Sequence, residues 1–451
     1  MEQSEAQKRK FQEMTTGDPV KLVNKFAVPC IITMLISSLY NMVDSFYVGR
    51  IDTQSTAALG IVFSYMALIQ AVAFFFGQGS GNYISRALGK KDIESASRMS
   101  AVGLITAMGL GSIIAIACAM FIQPLLRFFG STDTIMPYAV NYFKWILPGS
   151  PFIIGCFALN NQMRQQGNAL TSMIGIAIGA VLNIIIDPIF IFTLGMGVTG
   201  AGLATFISQV ISFFILLAMS GHHGGIKVEL KMFKPSMELY REIAAGGSPS
   251  LVRQGLAAVS TILLNQFASN YGDASVAAFS IVGRFMMFVG AAMIGYGQGF
   301  QPVCGFNYGA KLYDRVRTAY WNSVKISTIY CVVVALIGIV AAPWIISFFR
   351  ADDPEVIAMG TTILRWQCYA FPLVGYTVIT NMYLQNIRKT IPAIIAAGSR
   401  QGLVLIPALY IATALWGFQG LEATQFISDV VSFFIAIPLG SAALREMSRA
   451  K

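Results

Sequence analysis

The chain has 451 residues, of which 55% are hydrophobic and only 12% charged, and its mean hydropathy is +0.65. Soluble domains carry about 25% charged residues, so the composition excludes an ordinary soluble domain and indicates a polytopic membrane protein. The net charge of +10 is spread over short polar connections, where membrane topology accounts for it better than nucleic-acid binding does.

Residues 1–25 form a polar tail, and no signal peptide is expected ahead of the first apolar run. Twelve such runs follow, at 26–48, 57–78, 99–123, 138–160, 170–192, 198–220, 248–271, 276–299, 322–348, 358–384, 391–415 and 421–443. Each is near the ~20 residues a helix needs to cross about 30 Å of hydrocarbon. The longest polar connection, 221–247, lies midway. With the N-terminus inside, the inner tails and loops hold 22 Lys and Arg, Lys451 among them, against Arg50, Arg127 and Arg350 outside. That asymmetry places both termini in the cytoplasm.

The first run ends on Asn41-Met-Val-Asp44-Ser-Phe-Tyr-Val-Gly49. A carboxylate there is costly, by roughly 2.5–3.5 kcal/mol at the centre of a membrane helix and less toward its end, so the fold is expected to need Asp44. In the fifth run Asn183 and Asp187 stand four apart, on one helix face. Pro188 removes a backbone donor and leaves the Ile184 carbonyl without its usual partner. Counted from the helix ends, Asp44, Asp187 and Thr205 fall within about one helical turn of the same depth at 1.5 Å per residue. Two carboxylates with amide and hydroxyl oxygens suit a hard cation such as Na⁺, or a shared proton.

The chain also repeats itself. A shift of 220 maps Ala57-Ala-Leu-Gly-Ile-Val62 onto Ala277-Ala-Phe-Ser-Ile-Val282 and Gly77-Gln-Gly79 onto Gly297-Gln-Gly299. It also maps Ile207–Ile215 onto Ile427–Ile435, and a shift of 221 pairs Asn160 with Asn381. Two six-helix lobes follow: residues 26–220 and 248–443, joined by 221–247, with 444–451 as a cytoplasmic tail. Because six is even, the lobes enter the membrane from the same side, an arrangement that sets a substrate path between parallel repeats. Gly77-Gln-Gly-Ser-Gly81 resembles a phosphate loop only superficially, lacking its Gly-Lys-Ser/Thr ending.

The six cysteines form no Cys-x-x-Cys pair, and His222 and His223, the two histidines, share one polar loop. No disulfide framework, zinc site or cofactor is expected. An integral-membrane enzyme would call for a His/Asp/Glu cluster at one interface, which the sequence does not offer.

These motifs, with Asn183-x-x-x-Asp187-Pro188 and Gly200-Ala-Gly-Leu-Ala-Thr205-x-x-Ser208-Gln209, resemble the multidrug and toxic compound extrusion (MATE) transporters. The likeness is to the bacterial branch with DinF-like and MepA-like pumps and covers nearly the whole chain. It implies an all-α, V-shaped integral membrane protein of the bacterial inner membrane. It further implies antiport of amphipathic, often cationic drugs against H⁺ or Na⁺, acting as a monomer.

By that resemblance the cation site is Asp44, Asn183, Asp187 and Thr205, with Asn41, Asn160 and Asn161 as neighbours, and Pro29 marks a bend in the first helix. Tyr40, Gln70, Met287, Arg253 and Arg284 are candidates for the substrate cavity, with Asp429 as an alternative ion-pair partner for the two arginines. The acids that other branches carry in the second lobe are absent here. A lipid-linked saccharide flippase on a related fold is the rival reading, against which twelve helices rather than fourteen argue.

Overall fold

A computed structural model describes residues 4–349 and 353–449; Arg350 and Lys451, counted in the charge asymmetry, lie outside it. Regular structure among the described residues is helical throughout. The first half comprises α1 (Glu5–Thr16), α2 (Pro19–Gly49), α3 (Thr53–Gly89), α4 (Ile93–Met120), α5 (Ile122–Phe128), α6 (Met136–Gln165), α7 (Ala169–Pro188) and α8 (Val198–Met219). The second comprises α9 (Met237–Ser269), α10 (Asp273–Gly309), α11 (Tyr313–Phe349), α12 (Pro354–Asn386), α13 (Thr390–Gly398) and α14 (Leu405–Arg449). A π-helical turn, Ile189–Thr193, extends α7, and another, Ser399–Leu403, joins α13 to α14.

Nine described segments are long and apolar enough to cross a membrane, with Thr390–Arg449 counted as one. That segment is two helices, because Gly417 breaks it with φ 56° and ψ −131°. α9 and α12 complete the twelve; each has 33 residues and is less apolar. α12 owes this to polar side chains buried inside the bundle, such as Thr380, Gln385 and Asn386.

The chain divides into two compact units: the part up to Thr16 with Ile32–Gly247, and Gly17–Ile31 with the chain from Ser248 onward. In the first, α6 packs against α3, α4, α7 and α8; in the second, α12 packs against α10, α11, α13 and α14. α2 runs unbroken through Pro29, and the division falls just after it, between Ile31 and Ile32.

The repeat is visible in the backbone. Lys91 and Lys311, 220 apart, both take positive φ, at 63° and 60°, and Gly167 and Arg388, 221 apart, do so at 77° and 67°. Each of the four follows a helix end closed by a bond from a backbone N–H to the carbonyl five residues earlier, as in Asp92 to Ala87 and Leu312 to Asn307, the signature of a Schellman cap. Gly197 has φ 57° and ψ −137°, nearly matching Gly417. Asn160 donates to the Ser172 carbonyl at 3.2 Å, and Asn381 to that of Ala393 at 2.8 Å.

Two boundaries differ from the sequence reading. α3 continues to Gly89 instead of ending near 78, because Gln78, Ser80 and Asn82 are buried against polar partners on α6 rather than exposed as a turn. Gln78 donates to Asn161 at 3.1 Å, Gln162 to Ser80 at 2.9 Å and Gln165 to Asn82 at 2.8 Å. Gly77 and Gly81 lie in this stretch because a Cβ would meet Asn161 and Gln165 at 2.9 and 2.8 Å. They serve helix packing, not phosphate binding.

Residues 237–247, expected in the polar connection, are instead the first turns of α9 and belong to the first unit. Glu242 there pairs with Arg86 at 2.9 Å, both nearly buried. A Cβ on Gly247 would stand 2.2 Å from the Phe75 carbonyl oxygen, and one on Gly79 would stand 2.3 Å from that of Ile243. Small residues let helix backbones approach this closely. Gly247→Ala should therefore destabilise the protein by about 1–3 kcal/mol, the usual cost of overpacking. Gly255→Ala on the same helix meets nothing within 4 Å and should be neutral or slightly stabilising. Thermal unfolding in detergent compares the two; equal midpoints would contradict the docking of this segment.

Candidate functional site

Four elements of the first unit converge on one group of polar side chains. Asp44 sits near the end of α2, Asn183 and Asp187 in the last turns of α7, Thr205 in the second turn of α8 and Tyr142 in the second turn of α6. Asp44, Asn183, Asp187 and Thr205 are 3%, 1%, 0% and 0% exposed.

The Asn183 amide donates to Asp187 Oδ1 at 3.3 Å and to Thr205 Oγ1 at 3.4 Å. Asp44 is close enough to Asp187 to interact electrostatically, and Tyr142 is a neighbour of Asp44 and of Thr205. Tyr40 reaches Thr205 and Gln209. Asp44 Oδ1, Asn183 Oδ1 and Asp187 Oδ2 are buried without a hydrogen-bond partner. No basic side chain pairs with either acid among the described residues.

A buried, unpaired polar atom costs about 1–3 kcal/mol, and more when it is charged. Three such oxygens in one cluster, two of them on carboxylates, make a site that gains by taking up positive charge. Oxygen donors alone suit a hard cation; two neighbouring carboxylates suit a proton equally.

The remaining candidates lie elsewhere. The Asn41 amide donates to the Ser37 carbonyl of its own helix. Asn160 and Asn161, expected beside the cation site, instead bind Arg164, and Asn161 also binds Gln78. On α6 they stand 18 residues from Tyr142, some 27 Å along the axis at 1.5 Å per residue. Gln70 is half-buried on α3, while Met287 and Arg284 are exposed on α10. Asp429 partners neither Arg253 nor Arg284: it accepts from Arg400 Nε at 2.8 Å and from Gln425 at 2.9 Å. Arg400 stands on the π-helical turn Ser399–Leu403. Tyr142, Gln209 and Arg400 escaped the sequence reading. Gln209 alone stood in a quoted motif; Tyr142 sits in an apolar run with nothing to mark it.

The MatE family profile matches residues 29–189 and 249–411, covering both halves of the repeat. The chain belongs to the MatE family. It is a multi-pass membrane transporter, similar to the multidrug export protein MepA of Staphylococcus haemolyticus, with 28% identity over 419 residues, 92% of each chain. MepA of Staphylococcus aureus matches at 28% over 415 residues, covering 91% of this chain and 90% of that one. Among solved structures, an outward-facing multidrug resistance MATE transporter superimposes with a TM-score of 0.91 at 25% identity, covering 100% of both chains. A MOP superfamily transporter from Pyrococcus furiosus, described as having reversed binding-pocket polarity, gives 0.90 at 26%, over 99% of this chain and 100% of that one.

Any ligand that binds only the folded state stabilises it. Titrating Na⁺, or acidifying in its absence, should raise the melting temperature of the purified MatE-family protein. Asp187→Asn should remove that response, and in Na⁺-free buffer at pH 8 should itself stabilise by on the order of 1 kcal/mol by relieving the like charge. A variant that still responds as the wild type does would exclude the pair as the cation site.

Proposed function

We propose that this protein is a secondary active exporter of amphipathic, commonly cationic drugs, driven by the inward gradient of Na⁺ or H⁺. The observation that carries the reading is the buried pair of carboxylates, Asp44 and Asp187, to which no basic side chain among the described residues is paired. The names of its MepA relatives support drug export as the activity.

The transport cycle follows from linkage. A cation taken up at Asp44, Asn183, Asp187 and Thr205 binds one of two conformations better and shifts their equilibrium toward it. By reciprocity the drug, favouring the other conformation, is released as the cation binds. Tyr142 and Tyr40 hold the carboxylates and Thr205 in register while the site is empty. Pro29, which lies where α2 passes from one unit to the other, is the position at which the first helix bends during this exchange. The protein spans the bacterial cytoplasmic membrane with both termini inside, acts as a monomer and needs no ATP.

Proteoliposomes loaded with a fluorescent cationic dye test this directly. An outside-to-inside Na⁺ gradient and a pH gradient are imposed separately on wild type and on Asp44→Asn. Export driven by one gradient, and reduced at least tenfold in the variant at equal protein incorporation, is the expected result. Undiminished export by Asp44→Asn would remove the proposal, and no response to either gradient would favour the flippase reading.

A further inference from the structure

The second unit carries a charge arrangement opposite to that of the first. Between Ser248 and Ser269, α9 holds one charged residue, Arg253, and from Thr390 to Trp416 the chain holds one, Arg400. From Phe418 to Pro438, α14 holds two acids, Glu422 and Asp429.

Packing brings Arg253 and Arg400 to one place. Leu256, one turn beyond Arg253, fills the space where a Cβ on Gly398 or Gly402 would sit, at 3.2 and 2.7 Å. A turn further on, Ser260 Oγ donates to the Gln401 carbonyl at 2.6 Å. The face of α9 that bears Arg253 thus lies against the π-helical turn Ser399–Leu403, and Arg253 and Arg400 interact electrostatically.

Among the described residues the acid that pairs here is Asp429, whose Oδ1 accepts from both Arg400 Nε and Gln425. Glu422 stands two turns away on α14, about 10 Å along the axis. Arg253, half-buried, has no hydrogen-bond or ion-pair partner among the described residues. With Asp429 engaged by Arg400, the charge on Arg253 is left over. An arginine within a membrane helix characteristically lines a cavity or pairs with another group.

The position has a counterpart. By the 220-residue shift, Gln425 corresponds to Thr205 and Asp429 to Gln209, both of which belong to the acid site of the first unit. The turn that carries Arg400 is π-helical, an irregularity that recurs at functional sites. Its Leu403 opens an apolar groove formed with Val404, Pro407, Ala408 and Ile427.

We propose that Arg253 and Arg400 form an anion-binding subsite in the second unit that takes the carboxylate of a transported amphiphile, whose apolar body lies along the adjoining groove. Planar guanidinium groups match a carboxylate in bidentate geometry, and Arg400 spends only Nε on Asp429. The groove favours an amphiphile over an inorganic anion. The subsite rests on the reading of the chain as an exporter of amphiphiles and extends it from cations to zwitterions.

Tetramethylrhodamine, whose free carboxylate makes it zwitterionic, and its methyl ester, which is cationic, differ by that group alone. Equilibrium binding of each to the intact protein in nanodiscs is measured by fluorescence polarisation, in sodium gluconate and in sodium chloride. Arg253→Gln should weaken the free acid at least tenfold and the ester less than twofold, with Arg253→Lys in between. Retained ester binding certifies that the variant is folded. Equal loss for both dyes, or no loss for the acid, would overturn the proposal. So would displacement of the acid by millimolar chloride with no dependence on the dye's apolar body, which would make the subsite one for chloride. Wild type binding the ester alone refutes the subsite and leaves cation export standing, whereas binding of neither dye counts against the export reading itself.

Discussion

Two neighbouring buried carboxylates, Asp44 and Asp187, with no basic partner among the described residues, constitute the constraint on which the first unit depends. Asp44 and Asp187 cannot both carry charge in an apolar interior without a compensating cation, since desolvation and mutual repulsion act in the same direction. The surrounding groups temper that cost without cancelling it. Asn183 holds Asp187 and Thr205 together, and Tyr142 leans on Asp44, yet three oxygens stay unpartnered. A residue set selected for stability alone would have replaced one acid with an amide. Its retention makes the occupancy of the site a variable to which conformation can be tied.

The two halves show how one backbone carries opposite charge logic. Their helix ends, their left-handed turn residues and their Asn160 and Asn381 side-chain bonds coincide at a near-constant offset, so the scaffold was kept after duplication. The polar positions diverged. Asn183 and Asp187 of the first half correspond to Leu403 and Pro407 of the second, and Thr205 and Gln209 to Gln425 and Asp429. The buried cluster of one half holds two acids, Asp44 and Asp187, and that of the other two arginines, Arg253 and Arg400, with one acid, Asp429, on helices packed alike around a central α6 or α12. The π-helical turns follow this divergence, since they fall at different places in the two halves, Ile189–Thr193 and Ser399–Leu403.

Glycine is what lets α9 begin in one unit and continue in the other. At Gly79 and Gly247 backbone meets backbone, and no side chain fits between. The same device recurs where the 17–31 segment meets α10 in the second unit, with a Cβ on Gly299 falling 2.4 Å from Ala27. Both crossing helices thus have ends clamped to the opposite half of the repeat. The repeat as read in the sequence and the units as packed in space therefore divide the chain at different residues.

The sequence by itself determined the membrane class, the twelve spans and the duplication, because hydrophobic length and a constant offset are properties of order along the chain. It also marked Asp44, Asn183, Asp187 and Thr205, since charged and amide groups in apolar runs stand out and helical geometry converts spacing into depth. The extent of α3 and the start of α9 were hidden, because Gln78, Asn82 and Glu242 look like loop residues until their buried partners are seen. Tertiary structure alone decided that Tyr142 and Gln209 join the acid site while Asn160 and Asn161 stand a helix length away. It likewise gave Asp429 to Arg400 and left Arg253 without a partner among the described residues. The reason is physical: a single polar side chain in an apolar helix shows that a partner is needed, but which partner depends on helix rotation and crossing, set by packing between residues far apart in the chain.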